Sequence, residues 1–363
     1  MDDRSTIPTT RRRDLYSEAP FLVFWEMTRA CDLVCKHCRA CAVPDRDDRE
    51  LTTAEAKAML GSIAAMGTPL VVLTGGDPAK RPDLVALVDH GARLGLRMAL
   101  TPSATPLITR ALLAELRDAG LARLAVSLDG LPRSHDAFRG VSGSHARTFE
   151  ILSIARELGI TTQINTSVSR FNQHELPAIA RGIATLGIEL WSVFFVVPTG
   201  RGVDVASLDR DEVERILEWL ATVAAERVFD VKTTAAPHFR RVLLQRKFAR
   251  DGIVGLRDGI GRVTRGINDG QGTMFVSHVG EVYPSGFLPM PCGNVRDSGV
   301  ADIYRDHPVF QSLRRPDELG GKCGECEFRN VCGGSRARAF ATTGDPLAED
   351  PACAYMPRGM RSA

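Results

Sequence analysis

The chain has 363 residues, of which 44% are hydrophobic and 25% charged, and its formal net charge at pH 7 is +2. Near-neutral charge gives no sign of a nucleic-acid partner, which would require an excess of lysine and arginine. No apolar run reaches the roughly 18 residues of a membrane span, and residues 1–20 lack the apolar core of a signal peptide, so we expect a cytoplasmic protein with no membrane partner.

From residue 20 to about residue 200, short apolar runs alternate with amphipathic stretches that end near a glycine. The runs alternate little between apolar and polar residues, which is typical of strands buried on both faces of a parallel sheet. Glycine after each helix favours the left-handed conformation that ends a helix. The predicted strands are FLVFWEM (21–27), PLVVLTG (69–75), LRMALTP (96–102), LARLAVSLDG (121–130), TTQINTSVS (161–169) and LWSVFFVVP (190–198), and the glycines are Gly67, Gly95, Gly120, Gly159 and Gly187.

Six strands joined by helices predict right-handed βαβ units, and therefore a parallel sheet curved into a barrel. The predicted fold class is α/β, a partial (β/α)6 TIM-like barrel with a small cysteine-rich C-terminal domain. The first helix opens with a capping box formed by Thr52 and Glu55. In such sheets the residues that bind ligands lie at the C-terminal ends of the strands.

The second half of the chain departs from this alternation. RDEVERILEWLATVAAE predicts a helix, RDGIVGLRDGIGRVTRGINDGQG predicts a glycine-rich loop, and GTMFVSHVGEVYPSG predicts a β-hairpin that turns at Val279 and Gly280. We therefore predict four parts, namely an N-terminal tail (1–19), the barrel core (20–202), a bridging region (203–270) and a C-terminal cysteine-rich domain (271–363).

The nine cysteines fall into two groups, at residues 31–41 and 292–353. Disulfides would be spread along a chain, whereas metal ligands group in this way, and the lack of an export signal favours a reducing compartment. Cys31, Cys35 and Cys38 follow the first strand with the spacing CxxxCxxC. Three thiolates would leave one iron of a [4Fe–4S] cluster open to an external ligand, whereas Cys41 as a fourth would close the site. A four-cysteine zinc knuckle is the alternative.

CxxxCxxC after a first strand resembles the radical S-adenosylmethionine (SAM) superfamily. TGGDP (74–78) stands where that family has a GGE-like motif, with Asp77 in place of the usual Glu, and SLDG (127–130) with HDAFRG (135–140) follows the fourth strand as in many of its members. The resemblance implies that Cys41 is a free thiol and that an open [4Fe–4S] cluster is held by Cys31, Cys35 and Cys38. It also implies SAM contacts at Gly75, Gly76, Asp77, Ser127, Asp129 and Asn165.

The second group resembles the C-terminal SPASM extension of radical SAM enzymes. Cys323, Cys326, Cys332 and Cys353 form a complete four-thiolate set, while Arg336 stands where a further cysteine is expected and Ser285 where YPC is common. The resemblance implies one auxiliary [4Fe–4S] cluster, with zinc as the alternative. Candidates for contact with the substrate, with structural roles as the alternative, are His238, His278, Cys292 and Arg336.

The resemblance further implies an enzyme that accepts electrons from a donor such as flavodoxin or ferredoxin. It would cleave SAM reductively to a 5′-deoxyadenosyl radical, which abstracts hydrogen from the substrate. The C-terminal run is similar to radical SAM proteins of haem and haem d-type biosynthesis, which oxidise or decarboxylate tetrapyrrole side chains. Candidates to bind the carboxylates of such a substrate are Arg240, Arg241, Arg336 and Arg338.

Two other functions are weighed against the tetrapyrrole. A SPASM maturase that modifies a ribosomally synthesised peptide would carry a leader-binding domain, for which residues 1–20 are too short, or depend on a partner that supplies one. A non-enzymatic iron–sulfur electron carrier or zinc-binding module would not need TGGDP and SLDG at successive strand ends. The short N-terminal segment favours the tetrapyrrole as substrate, and the two strand-end motifs favour an enzyme.

Overall fold

A single mixed sheet organises the part of the chain that the structure describes, residues 16–246 and 266–360 of a computed structural model. The ten strands of this part are ordered β10-β9-β8-β1-β2-β3-β4-β5-β6-β7. Their bounds are β1 Leu22–Glu26, β2 Leu70–Thr74, β3 Arg97–Leu100, β4 Leu121–Ser127, β5 Thr162–Val168, β6 Leu190–Phe195, β7 Asp230–Thr234, β8 Thr273–Val276, β9 Glu281–Tyr283 and β10 Gly293–Asn294.

Helices connect the strands and follow the sheet at its C-terminal end. The α-helices are α1 Thr53–Ala65, α2 Leu84–Arg93, α3 Arg110–Asp118, α4 Pro132–Arg139, α5 Ser144–Glu157, α6 Leu176–Ile183, α7 Arg210–Ala225, α8 His238–Gln245, α9 Val300–Asp306, α10 Pro308–Leu313, α11 Gly321–Glu325 and α12 Arg336–Thr343. Short 3₁₀-helices span Pro78–Lys80, Gln173–Glu175, Gly200–Asp204, Pro316–Glu318 and Arg358–Met360.

The six predicted strands form one parallel series, β1 to β6, and the strand order is linear, so the barrel is partial as predicted. The five glycines before the strands all have positive φ, between 70° and 91°, which confirms the predicted helix ends. The capping box at Thr52 and Glu55 is also confirmed. Between the sheet and the helices lies an apolar core that includes the fully buried Val23 and Trp25.

The register of the parallel strands brings the functional motifs together. Glu26 at the end of β1 pairs with Thr74 at the end of β2, and Ser127 at the end of β4 pairs with Asn165 of β5. Because all of these strands run in the same direction, the cysteine loop, TGGDP and SLDG open on one edge of the sheet.

Two strands extend the parallel series beyond the prediction. β7 lies in the predicted bridging region and pairs with β6, and β8 pairs in parallel with β1. The sequence DVKTT of β7 gave no strand signal because it is polar and mostly half-buried at the sheet edge. The predicted hairpin is confirmed as β8 and β9, with Gly280 in its turn.

Some predictions concern residues outside the described part of the chain. Residues 1–15 of the predicted tail and residues 250–265 of the glycine-rich segment fall there. The division into four parts stays a prediction. Among the described helices, none combines the length and apolar character needed to pass through a lipid bilayer.

Candidate active site

A cavity of about 830 Å³ lies inside the curve of the sheet. Its lining includes the first three cysteines together with Gly75, Gly76, Ser127 and Asn165, four of the six residues predicted to contact SAM. Side chains of β3 to β7 form a further part of the lining. The strand ends therefore bring most of the predicted site residues to one chamber.

Backbone and side-chain groups surround the sulfur atoms of the first cysteine group. The N–H of Leu33 donates to Cys31 Sγ at 3.3 Å, and the N–H of Ala42 lies 3.5 Å from Cys38 Sγ. Cys31 and Cys35 are buried, and burial raises the pKa of both thiols. Bare thiolates are disfavoured at such a place, whereas iron stabilises them, so the donor set fits an iron–sulfur cluster.

Two residues at this site escaped the sequence analysis. Ser103 Oγ lies 3.2 Å from Cys31 Sγ, and Arg139 Nη1 lies 3.8 Å from Cys35 Sγ. Arg139 belongs to the quoted HDAFRG motif, which was the signal that could have identified it. Ser103 stands just after β3, whose C-terminal end held no recognised motif.

The glycines of TGGDP allow two backbones to approach each other. A Cβ atom on Gly75 would collide with the carbonyl oxygen of Thr28, and one on Gly76 with that of Ala30. The Gly76 N–H donates to Thr28 O at 2.8 Å, and the Asp77 N–H donates to Ala30 O at 2.7 Å. Glycine is therefore required where the turn after β2 holds the loop that carries the cysteines.

The two predicted acidic contacts, Asp77 and Asp129, lie outside the cavity lining. Asp77 is buried and accepts hydrogen bonds from Thr105 Oγ1 at 2.6 Å and from the N–H of Ala79 at 3.2 Å. Burial raises the pKa of Asp77 above its usual value despite these bonds. In this structure its carboxyl group shapes the turn, and contact with SAM stays a prediction.

Asp129 is also fully buried, and it forms an ion pair with Arg139 at 2.5 Å. Burial alone would raise the pKa of Asp129, but the Arg139 guanidinium, His37, His135 and the N–H of Ser167 together hold the pKa below its usual value. The carboxylate also accepts from the N–H of Ser167 at 2.7 Å. Asp129 therefore positions Arg139 against the cysteine loop.

Cys41 differs from its three neighbours. It is half-buried, it does not line the cavity, and its φ of 48° places it in the left-handed region. Arg29 Nη2 donates to its carbonyl oxygen at 3.4 Å. The geometry thus separates Cys41 from the set formed by Cys31, Cys35 and Cys38, and its free thiol stays a prediction.

The second cysteine group lines a separate small pocket. Backbone N–H groups reach three of its four sulfurs, from Phe328 to Cys326, from Gly334 to Cys332 and from Asp350 to Cys323, each at 3.4 Å. A Cβ atom on Gly334 would collide with Cys323 Sγ, so only glycine leaves the sulfur accessible. All four thiols, those of Cys323, Cys326, Cys332 and Cys353, therefore face one enclosed place, which fits an iron–sulfur cluster.

The four residues predicted as possible substrate contacts do not line the large cavity. His278 Nδ1 lies 3.0 Å from Glu26 Oε1, and the Cys292 thiol donates to Met290 O at 3.3 Å. His238 Nε2 lies 3.2 Å from Asp350 Oδ2. Each of these side chains, like Arg336 described below, has a structural partner, and contact with the substrate stays a prediction.

Among the described residues, no three His, Cys, Asp or Glu side chains lie together as ligands of a single metal ion, whereas the thiolates of a [4Fe–4S] cluster each bind a different iron.

Comparisons with known proteins identify the family. The family model "Radical SAM superfamily" matches residues 25–181, and the SPASM model "Iron-sulfur cluster-binding domain" matches residues 268–327. The chain is 40% identical to the AdoMet-dependent heme synthase of Oleidesulfovibrio alaskensis, over 94% of this chain and 89% of that protein. The chain belongs to the radical SAM superfamily.

The chain is also similar to a second protein in sequence and to a solved structure in fold. The PqqA peptide cyclase of Bradyrhizobium diazoefficiens is 32% identical, over 93% of this chain and 87% of that protein. The crystal structure of Streptococcus suis SuiB bound to S-adenosylmethionine superposes with a TM-score of 0.72 at 16% identity, over 93% of this chain and 78% of that one. The second likeness shows that the two chains share a fold.

The protein is therefore an enzyme that uses SAM and a [4Fe–4S] cluster in its radical SAM domain, and an auxiliary iron–sulfur cluster in its SPASM domain. The SPASM match ends after Cys326, so the comparison leaves Cys332 and Cys353 untested. We propose Cys31, Cys35 and Cys38 as ligands of the first cluster, and the four thiols of the small pocket as ligands of the second.

We predict that replacing Cys31, Cys35 and Cys38 together by serine removes about four of about eight irons per chain, because one [4Fe–4S] cluster is lost. Cys41→Ser is the matched control and should retain all of the iron. Iron and sulfide analysis after anaerobic purification measures both variants. Loss of iron from Cys41→Ser would contradict the proposed three-cysteine set.

We also predict that Gly76→Ala abolishes the change that SAM causes in the electron paramagnetic resonance (EPR) spectrum of the reduced cluster. The added methyl group must displace the cysteine loop, because it meets backbone that cannot rotate away. Gly61→Ala is the control, since a Cβ atom at Gly61 in α1 has no atom within 4 Å. An unchanged SAM response in Gly76→Ala would show that the close approach is dispensable.

Proposed function

We propose that this radical SAM enzyme acts on a tetrapyrrole and decarboxylates its carboxylate side chains oxidatively. In each reaction a propionate side chain loses one hydrogen atom, CO₂ and one electron, and a vinyl group with a carbon–carbon double bond remains. The likeness to a heme synthase across nearly the whole chain supports this substrate class over the more distant peptide cyclase.

The charge of the cavity carries the proposal. Six basic side chains line it against two acidic ones among the described residues, Glu18 and Asp269. Two of the six, Arg39 and Arg139, form ion pairs with Glu26 and Asp129, which do not line the cavity. A substrate with several carboxylates is favoured in such surroundings. The basic residues are Arg39, Arg97, Arg123, Arg139, Lys232 and Arg240.

The size of the cavity also suits a macrocycle. Sites for small molecules span roughly 300–1,000 Å³, and this one, at about 830 Å³, lies toward the upper end of that range. Apolar side chains such as Phe24, Phe239 and Phe275 lie among the charged ones and offer surfaces for a flat, apolar ring.

Of the four arginines predicted as carboxylate ligands, Arg240 lines the cavity, which supports it as the contact to the substrate. Its Nε donates to Val331 O at 2.7 Å and its Nη1 to Ile267 O at 3.1 Å, while its buried Nη2 has no hydrogen-bond partner among the described residues. The other three candidates lie elsewhere. Arg241 pairs with Glu214, and Arg338 pairs with Asp350.

When bound, SAM and the first cluster supply a radical that takes a hydrogen atom from the substrate, and the auxiliary cluster supplies a site for the released electron. The chain's own residues hold the substrate between these two sites. Arg240 lies at the boundary between them, because its acceptor Val331 is adjacent to Cys332. A low-potential donor such as flavodoxin or ferredoxin and a cytoplasmic location complete the proposal.

Modification of a peptide is the second candidate. It is supported by the 32% identity to a PqqA peptide cyclase. The excess of basic residues in the cavity favours the tetrapyrrole, since a peptide backbone carries no repeated carboxylates.

We expect the reconstituted enzyme, given SAM, dithionite and a siroheme-type tetrapyrrole, to release 5′-deoxyadenosine and a product lighter by one CO₂ and two hydrogens per converted side chain. Mass spectrometry measures both products. The variant with Cys31, Cys35 and Cys38 replaced by serine is the control and should form neither. Cleavage of SAM with unchanged tetrapyrrole mass across such substrates would favour the peptide alternative.

We expect Arg240→Gln to raise the KM for the tetrapyrrole about tenfold or more, because a hydrogen bond to a charged group contributes about 1.5–3 kcal/mol. Arg240→Lys should recover part of this loss, since it keeps the charge. Arg241→Gln is the matched control, because its partner Glu214 lies outside the cavity. Equal KM values for Arg240→Gln and Arg241→Gln would remove Arg240 from the substrate site.

A further inference from the structure

Arg336 brings a positive charge against the second cysteine group. It is the first residue of α12 and only 1% of its surface is exposed. Its Nη2 donates to Cys323 Sγ at 3.6 Å, while its Nη1 donates to Pro346 O at 2.8 Å and to Ala348 O at 2.7 Å. The carbonyl bonds fix the guanidinium so that its remaining edge faces the sulfur.

No carboxylate in the described part of the chain forms an ion pair with Arg336. Asp350, the nearby acid, pairs with Arg338 at 3.2 Å and with His238 at 3.2 Å. A buried charge without a counterion costs several kcal/mol. The four thiolates of an iron–sulfur cluster provide the missing negative charge, and Arg336 donates directly to one of them.

Other positively charged groups also lie around the pocket of the second cysteine group. Lys322 Nζ donates to Cys353 O at 2.9 Å, and Arg240 and Arg241 act electrostatically on Cys332 and Cys353. Two negatively charged groups also act on the thiols, Glu327 on Cys326 and Asp350 on Cys323. His238 also acts on the Cys353 thiol. Among the described arginines and lysines around the pocket, Arg336 alone donates a hydrogen bond to a ligand sulfur.

We propose that Arg336 raises the reduction potential of the auxiliary cluster and so makes it a better electron acceptor. Reduction adds one negative charge to the cluster, and a fixed cation with a hydrogen bond to sulfur stabilises the more negative state. The source of the electron, a decarboxylating substrate, rests on the proposed function. This role explains why the chain departs from a complete SPASM motif, since Arg336 stands where a further cysteine is expected.

Anaerobic redox titration of the holoenzyme, followed by EPR, tests this inference. SAM perturbs the signal of the first cluster, and the signal that SAM leaves unchanged reports the auxiliary one. Arg336→Gln should make reduction of the auxiliary cluster at least tenfold less favourable, a downward shift of about 59 mV for a one-electron couple. Arg336→Lys, which keeps the charge, should fall between this variant and the unaltered enzyme.

Arg314→Gln is the matched control. Arg314 is also buried and donates to two carbonyl oxygens, Tyr304 O at 2.8 Å and Arg305 O at 2.9 Å, but it reaches no cysteine sulfur. Arg314→Gln should leave the reduction potential of the auxiliary cluster unchanged. An auxiliary potential in Arg336→Gln equal to that of Arg314→Gln, at full iron content, would overturn the inference.

A measurement on the unaltered protein covers the case in which Arg336→Gln loses the cluster. Pulsed EPR of the reduced enzyme labelled with ¹⁵N-arginine should show a ¹⁵N coupling to the auxiliary cluster, which Arg336→Lys removes. Absence of that coupling would overturn the inference. None of these measurements needs a tetrapyrrole, so failure of the substrate assignment and failure of this inference are distinguishable.

Discussion

The active site depends on the contact between two backbones, the turn at Gly75 and Gly76 and the loop that begins at Thr28. Two N–H groups of the turn donate to carbonyl groups of the loop, and any side chain at either glycine would push the loop away. The cysteines follow directly on this loop, so their position at the cavity mouth is set by the end of β2. Mutual support of this kind explains how motifs so far apart in sequence come to line one cavity.

The two cysteine groups lie in different electrostatic surroundings. At the first, the cation Arg139 is matched by the buried carboxylate of Asp129. At the second, Arg336 forms no ion pair with a carboxylate in the described part of the chain, and Asp350 pairs with Arg338 and His238. The surroundings suit a division of labour in which the first site handles electrons of low potential and the second accepts them at higher potential.

Much of the fold was predictable because its signals are local. Cysteine spacing, the capping box at Thr52 and the glycines before each strand depend on neighbouring residues alone, and the structure confirms the helix and strand features. Contacts between distant loops carry no such signal. Arg139 with Cys35 and Ser103 with Cys31 are separated by 104 and 72 residues. β7 was missed because a half-buried edge strand has no apolar run, and the inward turns of Asp77 and Asp129 depend on partners that only the folded chain supplies.

The pairing of β8 with β1 has a consequence for the architecture. The backbone of the C-terminal domain completes the hydrogen-bond ladder of the first barrel strand, so the two domains share one continuous sheet. If the chain ended before β8, β1 would become an edge strand with unpaired N–H and C=O groups. Such an edge can pair with a strand of another molecule. Without the C-terminal region, the radical SAM domain would thus be prone to self-association, so this region covers the edge of β1 as well as carrying the second cysteine group.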